Sequence, residues 1–152
     1  MIQPSILIVE DEAVVAEDLA NKVRTLGYRL IGIASTGEAA LQLAQEHRPN
    51  LVLLDIRLDG RWDGIDTANR LRDLCDLPFL FITAHSDPET VRRASAAGAS
   101  GYILNLTWLV IHADGDFGVN DFRFCFKARQ FLEHGVDRRA IAEKQVFDVR
   151  MA

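Results

Sequence analysis

Two acids, Glu10 and Asp11, follow the apolar run Ser5–Val9, and a third, Asp55, follows the run Leu51–Leu54. Thr83 closes another such run, Phe79–Thr83. An acid at the end of a strand can stabilise the N-terminus of the next helix by a fraction of a kcal/mol. Asp11 or Asp87, taken singly, fits that role. Three carboxylates at adjacent strand ends do not. Like charges ~4 Å apart repel by ~4 kcal/mol at an effective dielectric of about 20, and nothing structural requires such crowding. A bound hard cation is the compensation this pattern asks for. Few ligands, all oxygen, point to Mg²⁺, which keeps several of its waters.

The elements that must position these groups follow from the apolar pattern. Ser5–Val9 reads as a buried strand, followed by a helix over Ala13–Leu26, with Val15, Leu19, Val23 and Leu26 at helical spacing and Gly27 where helices stop. Arg29–Ala34 reads as a second strand, Thr36 as the cap of a helix running to His47, and Leu51–Leu54 as a third strand buried on both faces. A loop over Asp59–Gly64 leads to a helix from Ile65 to Cys75, then the strand Phe79–Thr83. Asp87-Pro88 opens the next helix, Gly98 closes it, and Gly101–Leu104 is a fifth strand. Repeated βα units with short connections predict a parallel sheet covered by helices on both faces, because parallel crossovers are right-handed and need a helix. In such a sheet ligands bind beyond the carboxyl ends of the strands, where the winding reverses. The acids fall there.

The chain has 152 residues, 49% of them apolar and 26% charged, with a net charge of −5. That charge argues against a dedicated nucleic-acid binder, which carries a basic face. No apolar run is long enough to span a bilayer, and Met1-Ile2-Gln3-Pro4 has no basic residue ahead of an apolar stretch, so neither a membrane protein nor a secreted one is expected. Cys75 and Cys125 make neither a disulfide framework nor a zinc site, which suits a reducing, cytoplasmic compartment. Residues 105–152 hold seven acids and seven bases, so the whole −5 belongs to residues 1–104, and six of the eight phenylalanines lie after residue 116. The chain therefore divides near residue 105. Beyond it Phe122, Phe124 and Phe126 alternate like a strand, and Lys127–His134 and the stretch after Asp137 read as helices.

The runs Ile6-Leu7-Ile8-Val9-Glu10-Asp11-Glu12, Leu53-Leu54-Asp55-Ile56, Phe81-Ile82-Thr83-Ala84 and Ala97-Gly98-Ala99-Ser100-Gly101-Tyr102-Ile103-Leu104, in that order and spacing, resemble the receiver domain of two-component response regulators. The resemblance covers residues 5–104. It implies a flavodoxin-like, doubly wound α/β fold with five parallel strands in the order 2-1-3-4-5. It also implies Asp55 as phosphoacceptor, charged by a sensor histidine kinase or a phosphotransfer protein. Asp11, Asp55 and the backbone carbonyl of Arg57 would hold Mg²⁺, with Glu10 acting through a metal-bound water. Thr83 would donate its hydroxyl to a phosphoryl oxygen, and Tyr102 would swing inward with it. Ala84 is small, as phosphoryl access requires, while His85 and Arg57 flank the pocket, either tuning hydrolysis or standing as plain loop residues. The output partner is not written in these residues, and a protein that modifies only its own carboxylate is not an enzyme acting on an external substrate.

The resemblance breaks at Asn105-Leu106, where the family carries lysine and proline. Lys22, the one lysine in residues 1–104, lies three turns past the acidic cluster as a solvated charge. Three carboxylates and Mg²⁺ leave the pocket near −1, and a phosphoryl group of about −2 on Asp55 moves it to about −2. Lysine would restore about −1; Asn105 adds no charge. Drift to a pseudo-receiver, a reading-frame change and a genuine accessory element each account for the break. Deleting one A from AAA-CCT-TAC turns Lys-Pro-Tyr into Asn-Leu-Thr, which is what residues 105–107 read. The phenylalanine-rich tail replaces the family's last helix and shows no recognisable output domain. If it leaves the sheet edge uncovered, exposed apolar surface favours a homodimer or aggregation.

Other motifs weaken on inspection. Gly32–Gly37 has the glycine spacing of a phosphate loop, but Glu38 stands where lysine is needed. Asp114-Gly115-Asp116 begins like a calcium loop, but Val119 and Cys125 replace its glycine and glutamate. Haloacid-dehalogenase-like hydrolases, which also use an aspartyl nucleophile, carry a second aspartate two residues on, where this chain has Arg57. The reading left standing is a phosphorelay receiver, or an interaction module in which phosphorylation is vestigial. Asn105→Lys is expected to strengthen the conformational response to acetyl phosphate. Equal phosphate occupancy and equal response in the two proteins would exclude a role for the missing charge.

Overall fold

The alternation of strands and helices is present in the computed structural model, which describes residues 3–83, 87–99 and 101–104. The order is β1 (Ser5–Val9), α1 (Ala13–Thr25), β2 (Arg29–Ala34), α2 (Gly37–His47), β3 (Leu51–Leu54), α3 (Gly64–Cys75), β4 (Phe79–Thr83), α4 (Pro88–Ala96) and β5 (Gly101–Leu104). The strands pair in parallel in the order β2-β1-β3-β4-β5, as the family resemblance implied. The tail expectations, together with Ala84, His85 and Asn105, lie outside the described residues.

All five residues of β1 and all four of β3 are buried. Their side chains alternate between two cores, as a period of two requires. Leu7, Val9, Val52, Leu54, Phe79 and Phe81 face α2, α3 and α4, and the Phe79 and Phe81 rings meet edge-on at 5.5 Å. Ile6, Ile8, Leu51, Leu53, Leu80 and Ile82 face α1. On α1 the buried stripe is Ala16, Leu19, Ala20 and Val23. Leu19 and Val23 lie on it as expected, Ala16 and Ala20 join them, and Val15 packs at the margin.

Helix ends depart from expectation in informative ways. Thr36 caps α2 by accepting from the Ala39 N–H at 3.2 Å, and Asp87 caps α4 by accepting from the Thr90 N–H at 2.9 Å, both as expected. Asp11 caps nothing: Glu12 occupies that position at α1, without a side-chain bond. Helix α3 begins one residue earlier than expected because Asp63 caps it, accepting from the Asp66 N–H at 2.8 Å. Asp63 also accepts from Arg93 of α4 at 2.9 Å, and Arg72 of α3 donates to the Ala97 carbonyl at 2.7 Å. These two links fasten α4 to α3. Lys22 is more than a solvated charge, since it pairs with Asp18 one turn back.

Two glycines are fixed by close approach. A Cβ on Gly64 would overlap the carbonyl oxygen of Asp55 and press on the Ile56 Cα at 2.7 Å. The first turn of α3 therefore lies directly against the end of β3, and the Gly64 N–H donates to the Ile56 carbonyl at 2.8 Å. A Cβ on Gly37 would overlap the Thr67 hydroxyl and crowd the Trp62 ring at 3.2 Å. The glycine spacing that resembled a phosphate loop thus serves the packing of α2 on α3. Gly64→Ala is expected to cost ~3 kcal/mol by overpacking against backbone that cannot yield. Gly27→Ala, at a left-handed turn with open space around it, should cost only about 1 kcal/mol. Urea denaturation of the two variants checks the ranking, and equal losses would contradict the steric account.

Candidate functional site

Strand register brings the acids together. In the β1–β3 ladder Val9 lies opposite Leu54, so Glu10 and Asp55 are the next pair along. The ladder continues past the strands to fix them: Asp55 N–H donates to the Val9 carbonyl and Glu10 N–H to the Ala34 carbonyl, each at 2.9 Å. Carboxylate oxygens of Glu10, Asp11 and Asp55 lie within 4.8 Å of one another. Among the described residues these three are the group of ligating side chains that gathers in this way.

Each acid is held by a different constraint. The Glu10 side chain folds back to accept from the Glu12 N–H at 3.0 Å. Asp11 reaches across to the loop after β3 and accepts from the Asp59 N–H at 3.0 Å. This bond explains why Asp11 is not a helix cap. Asp55 is half-buried, and its Oδ1 is shielded from solvent. The three open onto a cleft of about 410 Å³ whose rim adds Glu12, Asp59 and one base, Arg57. The cleft has room for water beside an ion.

Electrostatics shows the strain of this gathering. Glu10 is only 5% exposed, and its carboxyl is pushed up from 4.5 to about 7. Loss of hydration is the main cause; the Glu12 N–H opposes it, and the charges of Asp55, Asp11 and Glu12 add to it. The donor set is hard, anionic and all oxygen, so it fits a divalent cation, which would relieve both the repulsion and the lost hydration.

The remaining expected site residues are placed by the backbone. Thr83 ends β4 one strand away from Asp55, and Tyr102 is in β5, opposite Phe81, two positions short of the Thr83 level. The sequence places Asp59 only in a loop, although its N–H holds Asp11. Gly64 was read only as part of a loop. Neither contact has a local signal, because each joins residues nine or more positions apart in the chain.

The site is thus an acidic cleft at the carboxyl edge of a doubly wound parallel α/β sheet, with oxygen ligands suited to a cation. Residues 6–105, about two thirds of the chain, match the family model described as the response regulator receiver domain. The chain belongs to the response regulator receiver domain family. It is 40% identical over 99 residues to the transcriptional regulatory protein PdtaR of Mycobacterium tuberculosis, covering 65% of this chain and 48% of that one. It is 42% identical over 83 residues to the phyllosphere-induced regulator PhyR of Methylorubrum extorquens, covering 54% of this chain and 31% of that one. The chain thus spans half or less of the length of these curated relatives. Among solved structures, the signal receiver domain of a modulated diguanylate cyclase from Desulfovibrio desulfuricans G20 superposes with a TM-score of 0.70 at 31% identity, covering 93% of this chain and 100% of that one.

The raised Glu10 carboxyl makes stability depend on pH. Between about 4.5 and about 7 the folded protein holds a proton that the unfolded chain releases. Without a cation, stability therefore falls as pH rises through that window, by at most on the order of 3 kcal/mol. Glu10→Gln should raise the metal-free Tm at about pH 8 and flatten its pH dependence between about 5 and 8. An unchanged slope would show that Glu10 is not the group responsible.

Proposed function

We propose that Asp55 accepts a phosphoryl group from a sensor histidine kinase or a phosphotransfer protein, in a Mg²⁺-dependent step. The observation that carries this reading is the convergence of Glu10, Asp11 and Asp55 within 4.8 Å at the mouth of one cleft. Asp11, Asp55 and the Arg57 carbonyl are the residues that would hold the ion, with Glu10 acting through one of its waters. Bound there, the ion would neutralise charge on the transferring group and on the carboxylates around it.

The chain's own residues supply positioning. The Val9 carbonyl and the close approach of Gly64 fix the backbone of Asp55 at the lining of the cleft. A carboxylate oxygen of Asp55 attacks phosphorus. The bond from phosphorus to the donor, a histidine nitrogen in a kinase, breaks, and its electron pair stays on the donor. Transfers of this kind need alignment and charge neutralisation more than covalent chemistry from the protein. Thr83, at the end of the neighbouring strand, would donate its hydroxyl to the new phosphoryl oxygens, and Tyr102 would follow it. Ala84 has the small side chain that phosphoryl access would require. The product is a modified carboxylate rather than a released substrate, so the domain is a switch and not an enzyme with an external substrate.

The switch would present a protein-interaction face to a downstream partner in the cytoplasm. Among the described residues no helix is long and apolar enough to cross a membrane. A second reading, an interaction module with weakened switching, is favoured by Asn105 standing where the family has lysine.

Incubation with acetyl phosphate and Mg²⁺ should add one phosphoryl group per chain, detected by intact mass. Labelling should vanish in Asp55→Asn and on chelation of the metal. Labelling that survives Asp55→Asn, or none in the wild type, would refute the assignment.

A further inference from the structure

Asp55 is surrounded by negative charge. The cleft rim carries Glu10, Asp11, Glu12, Asp55 and Asp59 against a single base, Arg57. A dication offsets two of those charges, and phosphorylation, which replaces the Asp55 charge with about −2, returns about one. The phosphorylated cleft needs another cation.

Several other described bases have partners of their own. Lys22 pairs with Asp18, and Arg93 pairs with Asp63. Arg72 is bound to the Ala97 carbonyl and to Asp73. Arg61 and Arg70 lie over the Trp62 ring, at 5.7 and 4.0 Å from its centroid. Arg57 takes part in none of the ion pairs among the described residues.

The backbone aims Arg57 at the opening. Its neighbours Ile56 and Leu58 are buried, at 4% and 8% exposure, so the arginine between them is turned outward on a root that is pinned on both sides. The bond from Asp59 N–H to Asp11 pins the same loop from beyond. Arg57 is two residues from Asp55, at most about 7 Å along extended backbone, within the sweep of a long arginine side chain. A guanidinium presents parallel N–H groups that match phosphoryl oxygens in pairs.

We propose that the Arg57 guanidinium is the counter-charge of the phosphorylated state, binding the phosphoryl oxygens on Asp55. This inference rests on the phosphoacceptor reading above. It gives Arg57 two separate tasks, a backbone carbonyl for the metal and a side chain for the phosphoryl group. The competing anion in the resting state is Asp87 at the start of α4. Its carboxyl is held below the usual range first by its bonds to Thr90 and, more weakly, by the charge of Arg57.

The test uses the full chain, with Mg²⁺ alone and then Mg²⁺ plus beryllofluoride as a phosphoryl mimic, each followed by titration. Removing a positive charge should affect the two ligands in opposite directions. Arg57→Gln should tighten Mg²⁺ several-fold and weaken beryllofluoride roughly 10- to 100-fold, the range of a charge-assisted hydrogen bond. Arg57→Lys should retain most of the beryllofluoride affinity, and adding Asn105→Lys to Arg57→Gln should restore part of it. Unchanged affinities, or both ligands weakened together as general disruption would do, overturn the role of Arg57 while leaving Asp55 as phosphoacceptor. A wild type that binds no beryllofluoride and takes no label overturns both.

Discussion

Repulsion among three carboxylates is the constraint around which this domain is built. Left to themselves, Glu10, Asp11 and Asp55 would separate; the sheet holds their oxygens within 4.8 Å. Part of the cost is visible in the Glu10 carboxyl, which burial and its acidic neighbours push up to about 7. Crowding of this kind lowers stability in the absence of a cation, and it makes the site respond strongly to any change of charge. A cation or a phosphoryl group arriving here meets a field already poised, because the groups that create it cannot relax away.

The rigidity that prevents relaxation comes from the least reactive parts of the molecule. β1 and β3 are buried along their whole length, and their ladder continues through the Asp55 N–H into the first residues of the site. At the far end of β1, the Asn50 side chain accepts from both the N–H and the hydroxyl of Ser5, at 2.8 and 3.0 Å, so the strand is fastened at both ends. Gly64 closes the packing behind Asp55, where any side chain would meet backbone. Behind that, Gly37 lets α2 close on Thr67 and Trp62. A chain of close contacts therefore runs from one helix through the next to Asp55.

The opposite side of the cleft is tied more loosely. Helix α4 is joined to α3 by Arg93–Asp63 and by Arg72 to the Ala97 carbonyl, links made by side chains that remain partly exposed. Exposed pairs of this type contribute little each, about 0–1 kcal/mol. A charge change at Asp55 therefore faces a stiff sheet on one side and a lightly held helix on the other. Motion is cheapest towards α4. The match covers half or less of the curated relatives' length, so what such motion would act upon depends on partners that these residues do not define.

Much of this was legible from residue order alone. Short apolar runs, two of them ending in acids, separated by capped amphipathic helices, were enough to place every described strand, to give the order β2-β1-β3-β4-β5 through the family resemblance, and to single out Glu10, Asp11 and Asp55. These are local signals: an apolar period, a glycine after a helix, a threonine or aspartate before one. Tertiary structure alone decided how the site is held. That Asp11 reaches Asp59 rather than capping α1, that Gly64 must lack a side chain because the Asp55 carbonyl occupies the space, and that Gly37 serves Thr67 rather than a phosphate are all contacts between distant segments. So is the elevated Glu10 carboxyl, which depends on how deeply β1 is buried and on which acids the strand register sets beside it. Residue order specifies which groups exist and which elements carry them; only packing fixes the distances at which charge acts.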